Sequence, residues 1–226
     1  MASGVDRAIG VAVHAALARW QRGVDGGAPR RAAELLALVD GAAAALSYDR
    51  AAVARAMKRV EPGLRAYAEG PWPRLATLFL EQSVRHTLTA PDGVAVELSL
   101  RVDRVARHRR GVAILDFKTV SPHAFELRAD QWQLRTYALA APELLGVAAG
   151  EVELVIIDLG AGVDRPVSAD PPSLQAAAEE LLACARGIAA GDFGVEGHDA
   201  RPCWSCGFRL ECPRSRAPEP PAVKPH

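Results

Sequence analysis

The stretch VDRVARHRRGVAILDFKT, residues 102–119, decides the fold of this chain. Residues 94–105 and 112–120 are rich in Val, Leu and Ile, and each range partly alternates with polar residues. Residues 107–111, which lie between them, are polar and end in glycine. Two alternating runs around a short polar segment predict two antiparallel strands joined by a hairpin turn.

The hairpin is expected to bring two carboxylates and an amine to one face of the sheet. With the turn centred between Arg109 and Arg110, Asp103 and Asp116 fall roughly opposite each other. Cβ atoms of opposed residues are about 5 Å apart. Lys118 leaves the same face as Asp116, because side chains alternate along a strand. Carboxylates this close repel each other unless a cation lies between them, and oxygen ligands favour Mg²⁺ or Mn²⁺.

A simpler interpretation of the same spacing is a surface hairpin with a cross-strand ion pair. Ile114 and Leu115 precede Asp116, so the acid leaves a strand that looks buried. An unpaired buried carboxylate is costly, and this favours the metal site.

The first part of the chain predicts a helical section. Apolar residues in 5–21 recur with a helical period, and His14 lies near the middle of that helix. Taken alone, His14 is most simply interpreted as a partly buried histidine bonded to a carbonyl group. Two Ala/Leu-rich helices are expected at about 30–47 and 49–69.

A strand is expected to precede the hairpin. Residues 75–89 are interpreted as this strand, and Pro91-Asp92-Gly93 as a tight turn into the next one. Glu81 lies in the strand, where it either faces the site or is a solvated acid.

The residues after the hairpin complete an α/β pattern. A helix at 129–141 carries Gln133 and Tyr137 on one face. These two residues have either a polar role, in which they orient the lysine or hydrogen-bond a phosphodiester, or a packing role at the border of the core. Residues 151–159 read as a buried strand. Strand, crossover helix and strand in this order predict parallel pairing.

The last predicted helix starts at Pro171-Pro172-Ser173, with Ser173 as its N-cap, and ends at Gly191. Cys184 lies in this helix among apolar residues, which favours a buried packing thiol.

The other cysteines form a C-x2-C-x5-C pattern in the tail, made of Cys203, Cys206 and Cys212. In a reducing compartment this spacing is typical of a metal or cluster site rather than of disulfides. Zinc and iron–sulfur sites usually need four ligands. Cys184 is the remaining cysteine, and His198 is a candidate fourth ligand for zinc.

Composition sets the cellular context. Lys and Arg number 27, as do Asp and Glu, so net charge does not indicate a polyanionic partner, although a local basic stripe is compatible with it. No apolar run approaches the roughly 20 residues that span a bilayer. The N-terminus lacks a signal-peptide core. We therefore expect a cytoplasmic, reducing location and no membrane partner.

Together these residues resemble the motifs of the PD-(D/E)XK nucleases, and the resemblance covers residues 10–213. The motifs, in the expected order, are Gly10-x3-His14, Val102-Asp103-Arg104-Val105, Asp116-x-Lys118-Thr119 and Gln133-x3-Tyr137. The cysteine tail matches the RecB-type branch, which includes recombination exonucleases and CRISPR-adaptation nucleases and uses such cysteines to hold a [4Fe–4S] cluster.

The resemblance implies an α/β fold with a restriction-endonuclease-like core, which is a central mixed sheet flanked by helices. An N-terminal helical section and a C-terminal cysteine-bearing tail would complete it. One nuclease domain is expected over residues 1–215, comprising a helical section (5–70), a catalytic core (75–190) and the cysteine tail (191–215). Residues 216–226 are expected to be a disordered end.

The resemblance also implies roles for particular residues. The implied metal ligands, for Mg²⁺ or Mn²⁺, are His14, Asp103, Asp116 and the carbonyl oxygen of Phe117. The implied catalytic residues are Asp103, Asp116, Lys118, Gln133 and Tyr137. Among these, the lysine orients or activates the attacking water, and the last two position the lysine and the DNA strand. The implied cluster ligands are Cys203, Cys206 and Cys212.

Two departures from the family pattern stand out. The family usually has another cysteine upstream of the histidine, and this chain has none before Cys184. The site therefore has an unusual fourth ligand, or the start is truncated, or the site holds Zn²⁺ or nothing. Ser99-Leu100 replaces the glycine that often shortly precedes the first aspartate.

The predicted function is a Mg²⁺- or Mn²⁺-dependent deoxyribonuclease, an exonuclease on single strands or duplex ends in DNA repair, recombination or defence. Its expected partners are DNA and a helicase or other recombination or defence proteins. The alternatives are a non-catalytic nucleic-acid-binding or assembly module with the same fold, and a zinc-stabilised scaffold. Four arginines either track a nucleic-acid backbone or lie in a solvated turn: Arg104, Arg107, Arg109 and Arg110.

Overall fold

The computed structural model of the protein describes residues 4–109, 111–120 and 124–192. The chain divides into two compact units, one from Ala2 to Ala183 and one that begins at Cys184. The helices are α1 (Gly4–Asp25), α2 (Ala32–Ala44), α3 (Arg50–Glu69), α4 (Ala124–Leu145) and α5 (Pro171–Ala189). The strands are β1 (Thr77–Thr89), β2 (Ala95–His108), β3 (Gly111–Lys118), β4 (Val152–Asp158) and β5 (Val163–Val167).

The strands form one five-stranded mixed sheet in the order β1-β2-β3-β4-β5. β3 is antiparallel to β2 and parallel to β4, as the hairpin and the strand–helix–strand pattern predict. Arg104 pairs with Leu115 in the β2–β3 ladder, so Asp103 and Asp116 are the next residues along it. The predicted register of the two acids is therefore confirmed.

Helices cover both faces of the sheet. On one face, β3 contributes Ala113, Leu115 and Phe117 to a buried cluster shared with α1, α2 and α3. On the other face, Val112 and Ile114 pack with α4 and the start of α5. The alternation of side chains along β3 thus serves two cores, which is why its apolar run is almost continuous.

A glycine in α3 permits close packing of that helix on the sheet. A Cβ added to Gly63 would lie 2.1 Å from the carbonyl oxygen of Leu159, just after β4. This is far inside van der Waals contact, so any larger residue requires the helix or the strand end to move.

The other predicted elements agree with the structure apart from three details. β5 has no counterpart in the sequence-based prediction, since VDRPV offers little apolar alternation. The cap of α5 is Asp170, whose Oδ1 accepts a hydrogen bond from the Ser173 amide at 2.7 Å, so the prediction of Ser173 as the N-cap is wrong. Cys184 is exposed, so its predicted role as a buried thiol is also wrong.

Among the described residues, no helix combines the length and the apolar character that crossing a membrane requires. The three tail cysteines, His198 and residues 216–226 lie outside the described part of the chain.

Candidate active site and metal centre

An open cleft of about 790 Å³ lies where the C-terminal end of β3 meets α1. Five elements contribute polar side chains to its wall. Among them are His14 from α1, Glu81 from β1, Asp103 from β2, Asp116 and Lys118 from β3, and Gln133 from α4. The sequence-predicted acids, lysine, histidine and glutamine therefore face one cavity.

His14 is the centre of a group of acceptors. Its Nε2 lies 3.0 Å from the Phe117 carbonyl oxygen, while its Nδ1 lies 3.2 Å from Glu81 Oε1 and 3.3 Å from Asp103 Oδ1. All these neighbours are acceptors, so both ring nitrogens carry a proton and the ring is an imidazolium. Burial lowers the pKa of His14, but the hydrogen bonds and charges of Asp103 and Glu81 outweigh it and raise the pKa to about 10.

The donor atoms here fit a divalent cation. One ligand atom each from His14, Glu81 and Asp103 lie within 4.8 Å of one another. One imidazole and two carboxylates form a donor set suited to Mn²⁺ and, less readily, Mg²⁺. The Phe117 carbonyl points at the same histidine and offers a further oxygen.

Glu81 reaches the centre through an unusual backbone conformation. Its φ is +50°, and among the described residues it is the one non-glycine with a positive φ. The left-handed region is unfavourable for such a residue and is found disproportionately at functional sites. Burial raises the pKa of Glu81, but its hydrogen bonds to His14 and Arg101 prevail and lower it. Sequence patterning left this residue undecided, and the structure places it in the cluster.

Asp116 is tied to the lysine that follows it. Its Oδ2 lies 2.9 Å from Lys118 Nζ, yet this buried oxygen has no aligned hydrogen-bond donor among the described residues. Burial raises the pKa of Asp116. The charge of Lys118 lowers this pKa and the charge of Asp103 raises it further, so that the pKa of Asp116 is about 6. An oxygen held buried without an aligned donor is available to a cation entering the cleft.

Lys118 is held by more than the predicted aspartate. Its Nζ lies 3.0 Å from Asp130 Oδ1 and 3.4 Å from Gln133 Oε1. Burial lowers the pKa of Lys118, but the charges and hydrogen bonds of Asp116 and Asp130 raise it above its usual value. The amine is therefore a permanent cation at neutral pH. Asp130, which the sequence analysis missed, precedes Gln133 by three positions on α4, which places both on one helix face.

A hydrogen-bond chain joins this lysine to β2. Gln133 Nε2 donates to the Tyr137 hydroxyl at 2.6 Å, and that hydroxyl donates to the Arg101 carbonyl at 2.6 Å. Burial raises the pKa of Tyr137 to about 12, so the phenol stays protonated. Gln133 and Tyr137 thus link the lysine to the sheet by hydrogen bonds, and Tyr137 also packs in the core beside α4.

Arg104 belongs to the core and not to the cleft. Its side chain is completely buried, and it donates to Thr77 Oγ1, the Tyr67 hydroxyl and two carbonyl oxygens. The prediction that Arg104 tracks a nucleic-acid backbone is therefore wrong, because no ligand reaches it. Arg107 and Arg109 are exposed at the hairpin, and Arg110 lies outside the described residues.

A mixed five-stranded sheet with an Asp-x-Lys pair at the end of its central strand defines the class of restriction-endonuclease-like proteins. The profile of the PD-(D/E)XK nuclease superfamily matches residues 2–213, and the chain belongs to that superfamily. Its members are usually nucleases that use divalent metals. A search of curated proteins found no significant match.

Proposed function

We propose that this protein is a Mg²⁺- or Mn²⁺-dependent deoxyribonuclease that cleaves single strands or duplex ends. The observation that carries the proposal is the convergence of His14, Glu81 and Asp103 within 4.8 Å, beside the ion pair of Asp116 and Lys118. Carboxylates and an imidazole suit a divalent cation, and a fixed amine suits the extra negative charge of a phosphodiester under attack.

The residues that would hold the cation are His14, Glu81, Asp103, Asp116 and the Phe117 carbonyl. A bound divalent cation supplies a lowered pKa for coordinated water and a positive charge next to the phosphate oxygens. To act as a ligand, His14 has to lose the proton from one ring nitrogen. Glu81 Oε1 and Asp103 Oδ1, which face the imidazolium, would then be the oxygens offered to the cation.

Lys118 contributes charge and position. Its pKa is raised, so at neutral pH it donates hydrogen bonds and does not accept a proton from water. Anchored by Asp116, Asp130 and Gln133, the amine can orient a water molecule and stabilise negative charge on the phosphate. We therefore assign Lys118 as an orienting and electrostatic group rather than as the general base.

The deciding experiment compares Asp116→Asn and Lys118→Met with the exposed-site controls Asp40→Asn and Lys58→Met. Each protein is incubated with Mg²⁺ or Mn²⁺ and end-labelled single-stranded DNA of both polarities. We expect the rate of cleavage to fall by at least roughly 100-fold in both site variants, which is the usual effect of removing a catalytic or electrostatic group. Both controls should keep the rate of the unsubstituted protein. Thermal melting of each variant excludes unfolding as the cause.

Undiminished cleavage by both site variants contradicts the proposal. DNA binding by the unsubstituted protein without cleavage in either metal favours the alternative, a nucleic-acid-binding or assembly module that keeps the fold.

We further propose the RecB-type branch, with Cys203, Cys206 and Cys212 as ligands of a [4Fe–4S] cluster. The support is the C-x2-C-x5-C spacing, which lies outside the described residues. Such a protein would act in repair, recombination or defence, beside a separate helicase or similar partner. Anaerobically purified protein should contain iron and show a broad visible absorbance that Cys206→Ser removes. A colourless protein with stoichiometric zinc contradicts the cluster.

A further inference from the structure

The face of α1 that lines the cleft carries an exposed arginine on either side of the metal centre. Arg7 and Arg22 both line the cleft, and His14 lies between them in the helix. Both arginines are exposed, and neither forms an ion pair within the part of the chain that the structure describes. Their guanidinium groups are therefore available to an anionic ligand that enters the cleft.

The spacing along α1 fits an extended ligand. Arg22 follows Arg7 by fifteen positions, which at 1.5 Å per residue is about 22 Å of helix, with His14 near the midpoint. At about 100° per residue, the cleft-lining positions from Arg7 to Arg22 fall within an arc of roughly 140°. One stripe of the helix therefore runs past the centre with an arginine at each end.

Between the two arginines, most residues of the stripe have short side chains. The residues of α1 that line the cleft there, apart from His14, are small: Gly10, Val11, Ala15 and Ala18. A Cβ at Gly10 would lie 3.3 Å from Thr119 Oγ1, so glycine lets α1 lie close to the end of β3. A nucleic-acid backbone lying along this stripe would contact no long side chain of α1 between the two arginines other than His14.

We propose that this stripe of α1 is the track for the substrate strand, with Arg7 and Arg22 each binding one phosphate on opposite sides of the cleavage point. The inference rests on the proposed nuclease function and adds the path of the strand to it. Arginine binds phosphate through two parallel hydrogen bonds, and exposed arginines lose little desolvation energy when they do so. The 22 Å track corresponds to roughly six stacked nucleotides at about 3.4 Å each.

A single nucleic-acid strand is the occupant because the charges alternate along its path. The two ends of the stripe carry exposed arginines, whereas the carboxylates in the middle are already paired with His14 and Lys118, so a phosphate there gains most from the added charge of a bound cation. A strand is thus held at its flanking phosphates, and its central phosphate comes to the metal centre. An acidic peptide has no such regular spacing of charges.

The test is the salt dependence of DNA binding. Arg7→Gln, Arg22→Gln and the double variant are compared with Arg19→Gln, an exposed arginine of the same helix that does not line the cleft. Binding of a fluorescent oligothymidylate of about 12 nucleotides, long enough for a typical single-strand site, is measured by anisotropy in chelating buffer, which stops turnover. Each phosphate contact on a single strand contributes about 0.7 to the slope of log K against log salt.

We expect the slope to fall by about 0.7 in each single variant and by about 1.4 in the double variant, and to stay unchanged in Arg19→Gln. With Mg²⁺ or Mn²⁺ present, KM should rise in the double variant while kcat is retained, since the metal centre is intact. An unchanged slope in the double variant, or an equal loss in Arg19→Gln, overturns the track.

The two proposals fail in different ways. If the unsubstituted protein cleaves DNA but the double variant keeps the full salt slope, the track is wrong and the nuclease assignment survives. If the unsubstituted protein binds the oligonucleotide through both arginines but never cleaves it, the track survives and the nuclease assignment is wrong.

Discussion

Replacement of Arg104 by methionine should destabilise the fold without touching the cleft. Its guanidinium donates to the Tyr67 hydroxyl at 3.0 Å, to the Trp72 carbonyl at 2.9 Å and to the Leu75 carbonyl at 2.7 Å. It also donates to the Thr77 hydroxyl at 3.1 Å. Methionine keeps the apolar stem of the side chain and removes all of these donors.

The magnitude follows from the groups left behind. The Trp72 carbonyl still accepts from the Leu75 amide, so it keeps one hydrogen bond. The Leu75 carbonyl and the Tyr67 hydroxyl lose the one donor that the described structure gives each. At about 1–3 kcal/mol for each of these two buried unsatisfied groups, the variant should lose about 2–6 kcal/mol of unfolding free energy. A domain of this size then melts roughly 10 °C lower.

The assay is urea unfolding followed by tryptophan fluorescence, with Arg107→Met as the control. Arg107 is an exposed arginine on the same strand, so its replacement should change stability by less than about 0.5 kcal/mol. Equal stability of the two variants would refute the reasoning, because it would mean that the buried donors are not needed. A loss of DNA binding by Arg104→Met at full stability would reinstate the nucleic-acid role that its sequence position suggests.

Three further predictions concern the metal centre and the packing of α3. Glu81→Gln should weaken Mn²⁺ binding at least roughly tenfold by calorimetry, because it removes a charged ligand, whereas the exposed-site control Glu97→Gln should not. The pKa of His14 is raised from 6.5 to about 10, so its contribution to stability is complete below pH 6.5 and is lost as the pH rises to 10. In chelating buffer the unfolding free energy should therefore fall between pH 7 and 10, by at most about 1.4 kcal/mol per pH unit. The variant His14→Asn should abolish this pH dependence. If the pH dependence persists in the variant, another group causes it. Gly63→Ala should cost about 1–3 kcal/mol through overpacking, while Gly41→Ala, with open space around it on α2, should be neutral or stabilising in the same melts.

The central hairpin could be predicted from sequence because its signals are local. Alternating apolar residues fix which face each side chain takes, and the two-residue turn fixes the register. These two facts alone place Asp103 beside Asp116 and put Lys118 on the same face. The crossover to β4 is equally local, since an apolar run after a helix of this length leaves few alternatives to parallel pairing.

Other parts of the site depend on long-range packing that no local pattern encodes. Glu81 lies next to His14, and its backbone has a positive φ. Nothing in a strand pattern that contains a glutamate predicts this conformation. Arg104 follows Asp103 in a basic segment and looks like a surface residue, but strand alternation turns it towards α3. Asp130 acts on Lys118 only once α4 has docked on the sheet.

The charges of the centre are compensated by the protein itself. Asp103 and Asp116 were expected to need a cation between them. The protein supplies two, the imidazolium of His14 next to the first acid and the amine of Lys118 next to the second. Glu81 shares the imidazolium, so the acids can be brought together during folding without an added ion. Since both ring nitrogens of His14 donate to acceptors, a divalent cation that uses this histidine must displace a proton from it. Metal binding should therefore release a proton, and the affinity for the metal should increase as the pH rises towards 10. The metal affinity of the centre is thus coupled to the protonation of His14.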